Sequence, residues 1–332
     1  MKIFITGSEG FIGSHLVESL IKKNHKVKAF TQYHFQNYLG CLEDLDKKLL
    51  KNVEIVSGDI RDQEQLSSSM EGSDIVINLA ALIGIPYSFT APRSYVDTNI
   101  IGTLNLLEAS KKNKNLKKII LTSTSEVYGT AKKVPITEDH PLNSQSPYAA
   151  TKIASDFLGL SYFHSFNLPI VIARPFNTFG PRQSARAVIP SIIIQVLSNQ
   201  KKIELGNINP TRDFSFVDDT VEGLIKIINS KKKISGNIIN ICTGREYSIK
   251  KVCQFISEIT KKDFEIISNK KRTRSKTAEV ERLLGSNKKA KKLINWSPKY
   301  VGDQKFKEAL KKTIDWFKKD ENLSKYKRIY NL

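Results

Sequence analysis

The chain has 332 residues, enough for two domains or one large α/β domain with an elaboration, and its 40% hydrophobic content with interspersed charge is that of a water-soluble globular protein. No apolar run is long enough to cross a bilayer, the start Met1-Lys2-Ile3-Phe4-Ile5 is too short for a signal-peptide core, and a cytoplasmic protein is expected. The net charge of +20 is spread as short lysine clusters such as Lys22-Lys23 and Lys231–Lys233, without a nucleic-acid-binding signature, and Cys41, Cys242 and Cys253 have neither metal-ligand nor disulfide spacing. Neither a nucleic-acid partner nor a metal is expected.

Lys2–Thr6 predicts a short apolar strand that runs into Gly7-Ser8-Glu9-Gly10-Phe11-Ile12-Gly13 and then a helical pattern from Ser14. Strand, glycine-rich turn and helix in that order form a phosphate-binding start: glycine lets the backbone approach a pyrophosphate, and the helix N-terminus offers free N–H groups. The cofactor-binding expectation covers Gly7, Gly10, Phe11, Ile12 and Gly13. A second strand, Lys26–Thr31, ends without the acidic residue that takes the adenosine ribose in NAD enzymes and without a clear arginine for NADP. Thr31 stands at that place, so NAD and NADP both remain open.

Val53–Val56 predicts the third strand, with Asp59 and Ile60 in its exit turn and Asp59 placed either to meet the adenine or in the N-terminal cap region of the next helix. Asp74–Ala81 reads as a strand buried on both faces, and its small exit Leu79-Ala80-Ala81 leaves room for a cofactor. Helical spacing follows at 99–108 and a fifth strand at Lys118–Ser123. This alternation predicts a Rossmann-like, doubly wound parallel sheet with ligands outside the carboxyl ends of its strands.

Thr124, Ser125 and Glu126 leave the fifth strand at that edge. Ser146 is a plausible N-cap and Pro147 a first helical residue, which fixes where Tyr148 begins; Lys152 follows one turn later on the same face. A tyrosine hydroxyl titrates near pH ~10 unperturbed. A neighbouring ammonium and a positive nicotinamide both favour the phenolate, so Tyr148 can serve as base on an alcohol during hydride transfer. The sixth strand ends at Arg174-Pro175-Phe176-Asn177, and a return strand lies at 236–241. The expected division is a dinucleotide-binding domain of residues 1–175 and 220–245, and a smaller, largely C-terminal substrate lobe of residues 176–219 and 246–332.

Gly7/Gly10/Gly13, Asp59-Ile60, Leu79-Ala80-Ala81, Tyr148 with Lys152, Arg174-Pro175-Phe176-Asn177 and Arg212-Asp213-Phe214 together resemble the extended short-chain dehydrogenase/reductase family acting on nucleotide sugars. The resemblance implies Pro175 at the cofactor, Asn177 at the sugar or its phosphate, Arg212 and Arg274 at the diphosphate and Glu279 at the nucleotide ribose. It also implies a homodimer built on the helix that carries Tyr148. Glu126 resembles the acid that 4,6-dehydratases use to remove the C5 proton. Thr124-Ser125-Glu126 stands where the common form reads Thr-Asp-Glu, which leaves Ser125 or Glu126 to protonate the leaving hydroxyl.

The stretches 81–88, 124–131 and 180–190 are similar to the GDP-N-acetylglucosamine 4,6-dehydratases of legionaminic acid biosynthesis. That likeness implies a tightly bound, recycled cofactor. A UDP-glucuronic acid decarboxylase is the alternative, followed by a 4-epimerase or 4-ketoreductase and, from another class, a dinucleotide-binding scaffold without turnover.

Overall fold

The computed structural model describes residues 1–269, Arg272 and 277–326. Its central feature is a seven-stranded sheet of β1 (Lys2–Thr6), β2 (Lys26–Gln32), β3 (Val53–Gly58), β4 (Ile75–Asn78), β5 (Lys118–Thr122), β6 (Ile170–Pro175) and, later in the chain, β11 (Ile238–Ile241). The order β11-β6-β5-β4-β1-β2-β3 is parallel throughout. Chain order reverses between β1 and β4, the switch point at which an open α/β sheet leaves a crevice.

The central strands β1, β4, β5 and β6 are mostly apolar because both faces are covered. Ile3, Ile5, Ile75, Ile77, Ile120 and Val171 join one buried cluster, while Phe4, Val76, Ile119, Leu121, Ile170 and Ile172 join the other. Successive side chains of a strand point to opposite faces, so neighbours in sequence part company between the two layers. Helix Phe11–Lys22 packs with Val217–Asn229 on the first face; Gln63–Ser69, Gly102–Lys112 and Pro147–Phe166 cover the second.

Beyond β6 the chain builds three small sheets. They pair β7 (Asn177–Phe179) with β10 (Phe214–Phe216), β8 (Lys202–Leu205) with β13 (Glu265–Ser268), and β9 (Thr211–Arg212) with β12 (Tyr247–Ser248) and β14 (Arg282–Leu283). The first apolar cluster runs on without a break into this region through Ile192, Phe214, Phe255 and Phe306. A third cluster of Val127, Tyr128, Ile136, Phe176, Cys242, Val280 and Leu283 ties the turn after β5 to β14.

Two elements differ from the sequence expectation. β4 stops at Asn78, whose side chain accepts from the Thr6 hydroxyl (2.6 Å), so Leu79-Ala80-Ala81 is already loop. The helix expected from Asn99 begins earlier, as Pro92–Tyr95 followed by a π-helical turn over Val96–Ile101. Asn99 explains the bulge: its buried amide accepts from Leu82 N (2.8 Å) and donates to Leu82 O (3.0 Å) and Thr151 Oγ1 (3.0 Å). That side chain pins the loop after β4 to the Pro147–Phe166 helix.

Candidate active site

A cavity of about 1080 Å³ opens along the carboxyl ends of β1, β2, β4, β5 and β6. The glycine turn forms one wall. Gly7 has φ +65°, and a Cβ there would lie 2.6 Å from Ala80 N; a Cβ on Gly13 would lie 2.2 Å from Gly7 O. Both positions therefore demand glycine. Gly10 begins the helix with no side-chain cap, which leaves the first N–H groups of Phe11, Ile12 and Gly13 directed to the cavity end.

At the other end Ser146 caps the next helix by accepting from Ala149 N (3.1 Å), with Pro147 in its first turn. Tyr148 and Lys152 then reach the same wall, as do Thr124 and Glu126. Burial pushes the Tyr148 phenol well above its usual range, opposed by a hydrogen bond with Thr124 and reinforced by the nearby Glu126 charge. Burial also lowers the Lys152 ammonium, whose Nζ donates to Thr122 O (2.7 Å). Burial is the first cause of both shifts.

Beneath this pair lies a buried network. Asp156, one turn beyond Lys152, accepts from Ser123 Oγ (2.8 Å) and from Arg174 Nε (3.0 Å) and Nη2 (2.9 Å). Arg174 Nη1 donates to Tyr128 Oη (2.9 Å), which donates to Asn240 Oδ1 (2.8 Å). The Tyr148 helix, β5, β6 and β11 are thereby fixed to one another.

Most residues expected at the cofactor line the cavity: Gly7, Gly10, Phe11, Ile12, Gly13, Asp59, Ile60, Leu79, Ala80, Ala81, Tyr148, Lys152 and Pro175. Thr31 does not. It is fully buried, its hydroxyl 3.3 Å from Ser57 Oγ, because β2 runs one residue further and presents Gln32 instead. Ser125 is likewise turned inward, 2% exposed and outside the cavity wall, which is at odds with a role as proton donor to the leaving group. The short 3-10 turn Ser125–Tyr128 sends Glu126 to the cavity and Ser125 to the interior.

Asn177 lines the cavity, whereas Arg212 and Glu279 lie outside its wall and meet each other at 3.3 Å. Arg274 falls outside the described residues.

Sequence reasoning missed Arg182, Gln183 and Arg186, which also line the cavity. The Gly180-Pro181 reversal next to them was the available signal. A seam forms here over the glycine turn: the His15 ring meets Pro181 O (3.0 Å), Arg182 Nη2 donates to Glu18 (2.7 Å), Cys41 Sγ approaches Arg182 O (3.5 Å), and Lys325 pairs with Asp44. Glu9 Oε2, Thr122 Oγ1, Asn177 Oδ1, Gln183 Oε1 and Arg182 Nε and Nη1 are buried on cavity-lining residues without a hydrogen-bond partner. Buried polar groups are ordinarily paired. This concentration, with the glycine cradle and the bare helix end, fits a polar dinucleotide.

Residues 4–313 match the family model described as GDP-mannose 4,6 dehydratase. The chain belongs to that family. This family member is 32% identical over 331 residues to a UDP-N-acetyl-alpha-D-glucosaminuronate decarboxylase of Bacillus cytotoxicus, covering 97% of this chain and 99% of the relative. Its fold matches the UDP-glucuronic acid 4-epimerase of Bacillus cereus, solved with UDP-glucuronic acid and NAD, with TM-score 0.85 and 31% identity over 96% of this chain and 99% of that one. It also matches DesIV, a dTDP-glucose 4,6-dehydratase of Streptomyces venezuelae solved with NAD and TYD, with TM-score 0.86 and 25% identity over 98% and 99%. The family member is therefore an enzyme of the NAD-dependent nucleotide-sugar dehydratase, epimerase and decarboxylase group. Among the described residues, no three His, Cys, Asp or Glu side chains are grouped to hold a metal, and no helix is long and apolar enough to cross a membrane.

Proposed function

We propose that this enzyme is a nucleotide-sugar 4,6-dehydratase that converts a GDP-hexose, GDP-N-acetylglucosamine in particular, to its 4-keto-6-deoxy form. The observation that carries the reading is the Glu126 carboxylate in the wall beside Tyr148, since an oxidation at C4 alone needs no carboxylate there. A bound nicotinamide supplies the hydride acceptor and a positive charge that favours the Tyr148 phenolate. Tyr148 takes the proton from O4, with Thr124 holding the hydroxyl in line. The C4 ketone acidifies C5–H, Glu126 removes that proton, and the C6 hydroxyl leaves as water. With Ser125 buried, Glu126 is the group left to return its proton to that hydroxyl. Return of the hydride to C6, with a proton taken up at C5 from solvent, would complete the 4-keto-6-deoxy product with no net redox change, so a cofactor held there would not need to leave.

Asn177, with an unpaired Oδ1, is proposed to meet the sugar, and Arg212, its fork held by Glu279, the diphosphate. The likeness of three stretches to enzymes of legionaminic acid biosynthesis supports the choice of donor. The two-domain division, cytoplasmic location and a homodimer through the Tyr148 helix belong to the same proposal. The dimer is supported by the apolar side chains that neighbouring helices expose, Phe157 at 58%, Ile101 at 40% and Val96 at 36%.

Decarboxylation of a UDP-hexuronate is the second reading, favoured by Arg186 in the cavity wall, a cation suited to a sugar carboxylate. Mass spectrometry separates the two. Incubation with GDP-N-acetylglucosamine and no reductant is expected to give a product lighter by one water. Unchanged GDP-N-acetylglucosamine, with UDP-glucuronic acid losing carbon dioxide, would overturn the dehydratase reading.

A further inference from the structure

The end of β2 lacks the acid that usually takes the adenosine ribose, yet a carboxylate is present at that point in space. Glu9, from the middle of the glycine turn, lines the cavity and accepts from the backbone N–H of Gln32 through Oε1 (3.1 Å). It is held there from behind: its carbonyl accepts from Cys41 N (2.8 Å), and Gly40 at φ +57° packs so tightly on it that a Cβ would come within 2.6 Å of Glu9 O. Oε2 is buried and has no partner.

We infer that Glu9 sets the cofactor choice of this enzyme: its carboxylate takes the adenosine ribose hydroxyls in place of the missing acid at the end of β2, so that NAD is bound in preference to NADP. The inference rests on the dinucleotide-binding reading of the cavity but not on which sugar is transformed.

A cis-diol presents two donors and matches a carboxylate with one empty oxygen, and such charge-assisted bonds are the stronger kind. The same carboxylate disfavours a 2′-phosphate, which brings about two negative charges to its side and no donor. The surroundings do not compensate. A depression of about 390 Å³ adjoins this end of the cavity, lined by Gln32, Tyr33, Asp59 and Arg61 among others. Arg61 is its cation, and it is engaged by Asp59 through Nε (2.9 Å) and Nη2 (2.5 Å). Arg182 and Lys325 in the cavity wall each make an ion pair, with Glu18 through Nη2 and with Asp44. A phosphate at this end would face both Glu9 and Asp59, with Arg61 already committed to Asp59. Burial disfavours the charged form of the Glu9 carboxyl, and two donated hydrogen bonds would favour it again.

The test is calorimetric titration of the full-length protein, freed of carried-over cofactor, with NAD and with NADP. The wild type should bind NAD at least about tenfold more tightly. Glu9→Gln keeps the shape and the contact with Gln32 but removes the charge. It should weaken NAD about tenfold and leave NADP unchanged or tighter, bringing the ratio towards one; retained NADP binding reports an intact pocket. Glu9→Ser should move the ratio the same way. Equal affinities in the wild type, or a ratio that neither substitution changes, would overturn the assignment while leaving the dehydratase reading untouched. Binding of neither dinucleotide would overturn both.

Discussion

Glu126 and Tyr148 come to one wall from different elements, and their tasks separate cleanly by substitution. Glu126→Gln should bind NAD as the wild type does yet lose about 10²–10⁴-fold in turnover, and exchange of the C5 hydrogen with D₂O, followed by NMR, should stop. Ser125 makes the contrasting case. With its side chain in the interior, Ser125→Ala should retain turnover within about threefold; a loss of hundredfold or more would return Ser125 to the proton relay. The chemical residues were legible because Tyr-x-x-x-Lys on a capped helix and an acid at a strand exit carry their geometry with them. Ser125 was not, since which residue of a 3-10 turn faces a cavity depends on what packs behind it. Here that is the cluster around Val127 and Tyr128.

Among the elements, the Pro147–Phe166 helix shows the same division. Ser146 and Pro147 announced its start, and the spacing of Tyr148 and Lys152 announced its face. Asp156 continues that face into the interior, but its partners Ser123 and Arg174 lie just past β5 and on β6, and a charge meant for burial looks in sequence like a charge meant for solvent. Both side chains of the Asp156–Arg174 pair are nearly inaccessible, at 3% and 2%. Removing one partner strands a buried charge, so Asp156→Ala should cost about 3–5 kcal/mol and lower the thermal midpoint by roughly 5–10 °C, read by calorimetry. Thr31 failed for a related reason: strand ends are set by pairing, and β2 pairs with β3 as far as Gln32–Gly58. The carboxylate absent from the end of β2 was in plain view in the glycine turn, but only the folded chain brings it there.

At the scale of the whole molecule, the doubly wound sheet was readable from alternating apolar strands and helices. The continuity of one apolar cluster into the region after β6 was not, because that packing is long-range. The seam over the glycine turn gives a pH-dependent stability. Burial and the Arg182 charge push His15 down to about 4 from its ordinary 6.5. The unfolded chain therefore binds a proton that the folded one refuses, and stability is lost as pH falls from about 6.5 towards about 4. Wild type should lose up to about 1–3 kcal/mol relative to His15→Asn over that window, measured by denaturant melts. If the proposed dimer forms through the Tyr148 helix, Phe157→Glu on its exposed face should yield monomers by sedimentation where the wild type sediments as a dimer, without disturbing the site. The seam has a metabolic corollary. Segments from residues 9–44, 180–182 and 325–326 line the glycine-turn end of the cavity, and the redox-neutral cycle proposed above would not need that end to reopen. Flux through such an enzyme would follow the supply of sugar donor and be indifferent to whether the cell is well fed or starved of oxidant.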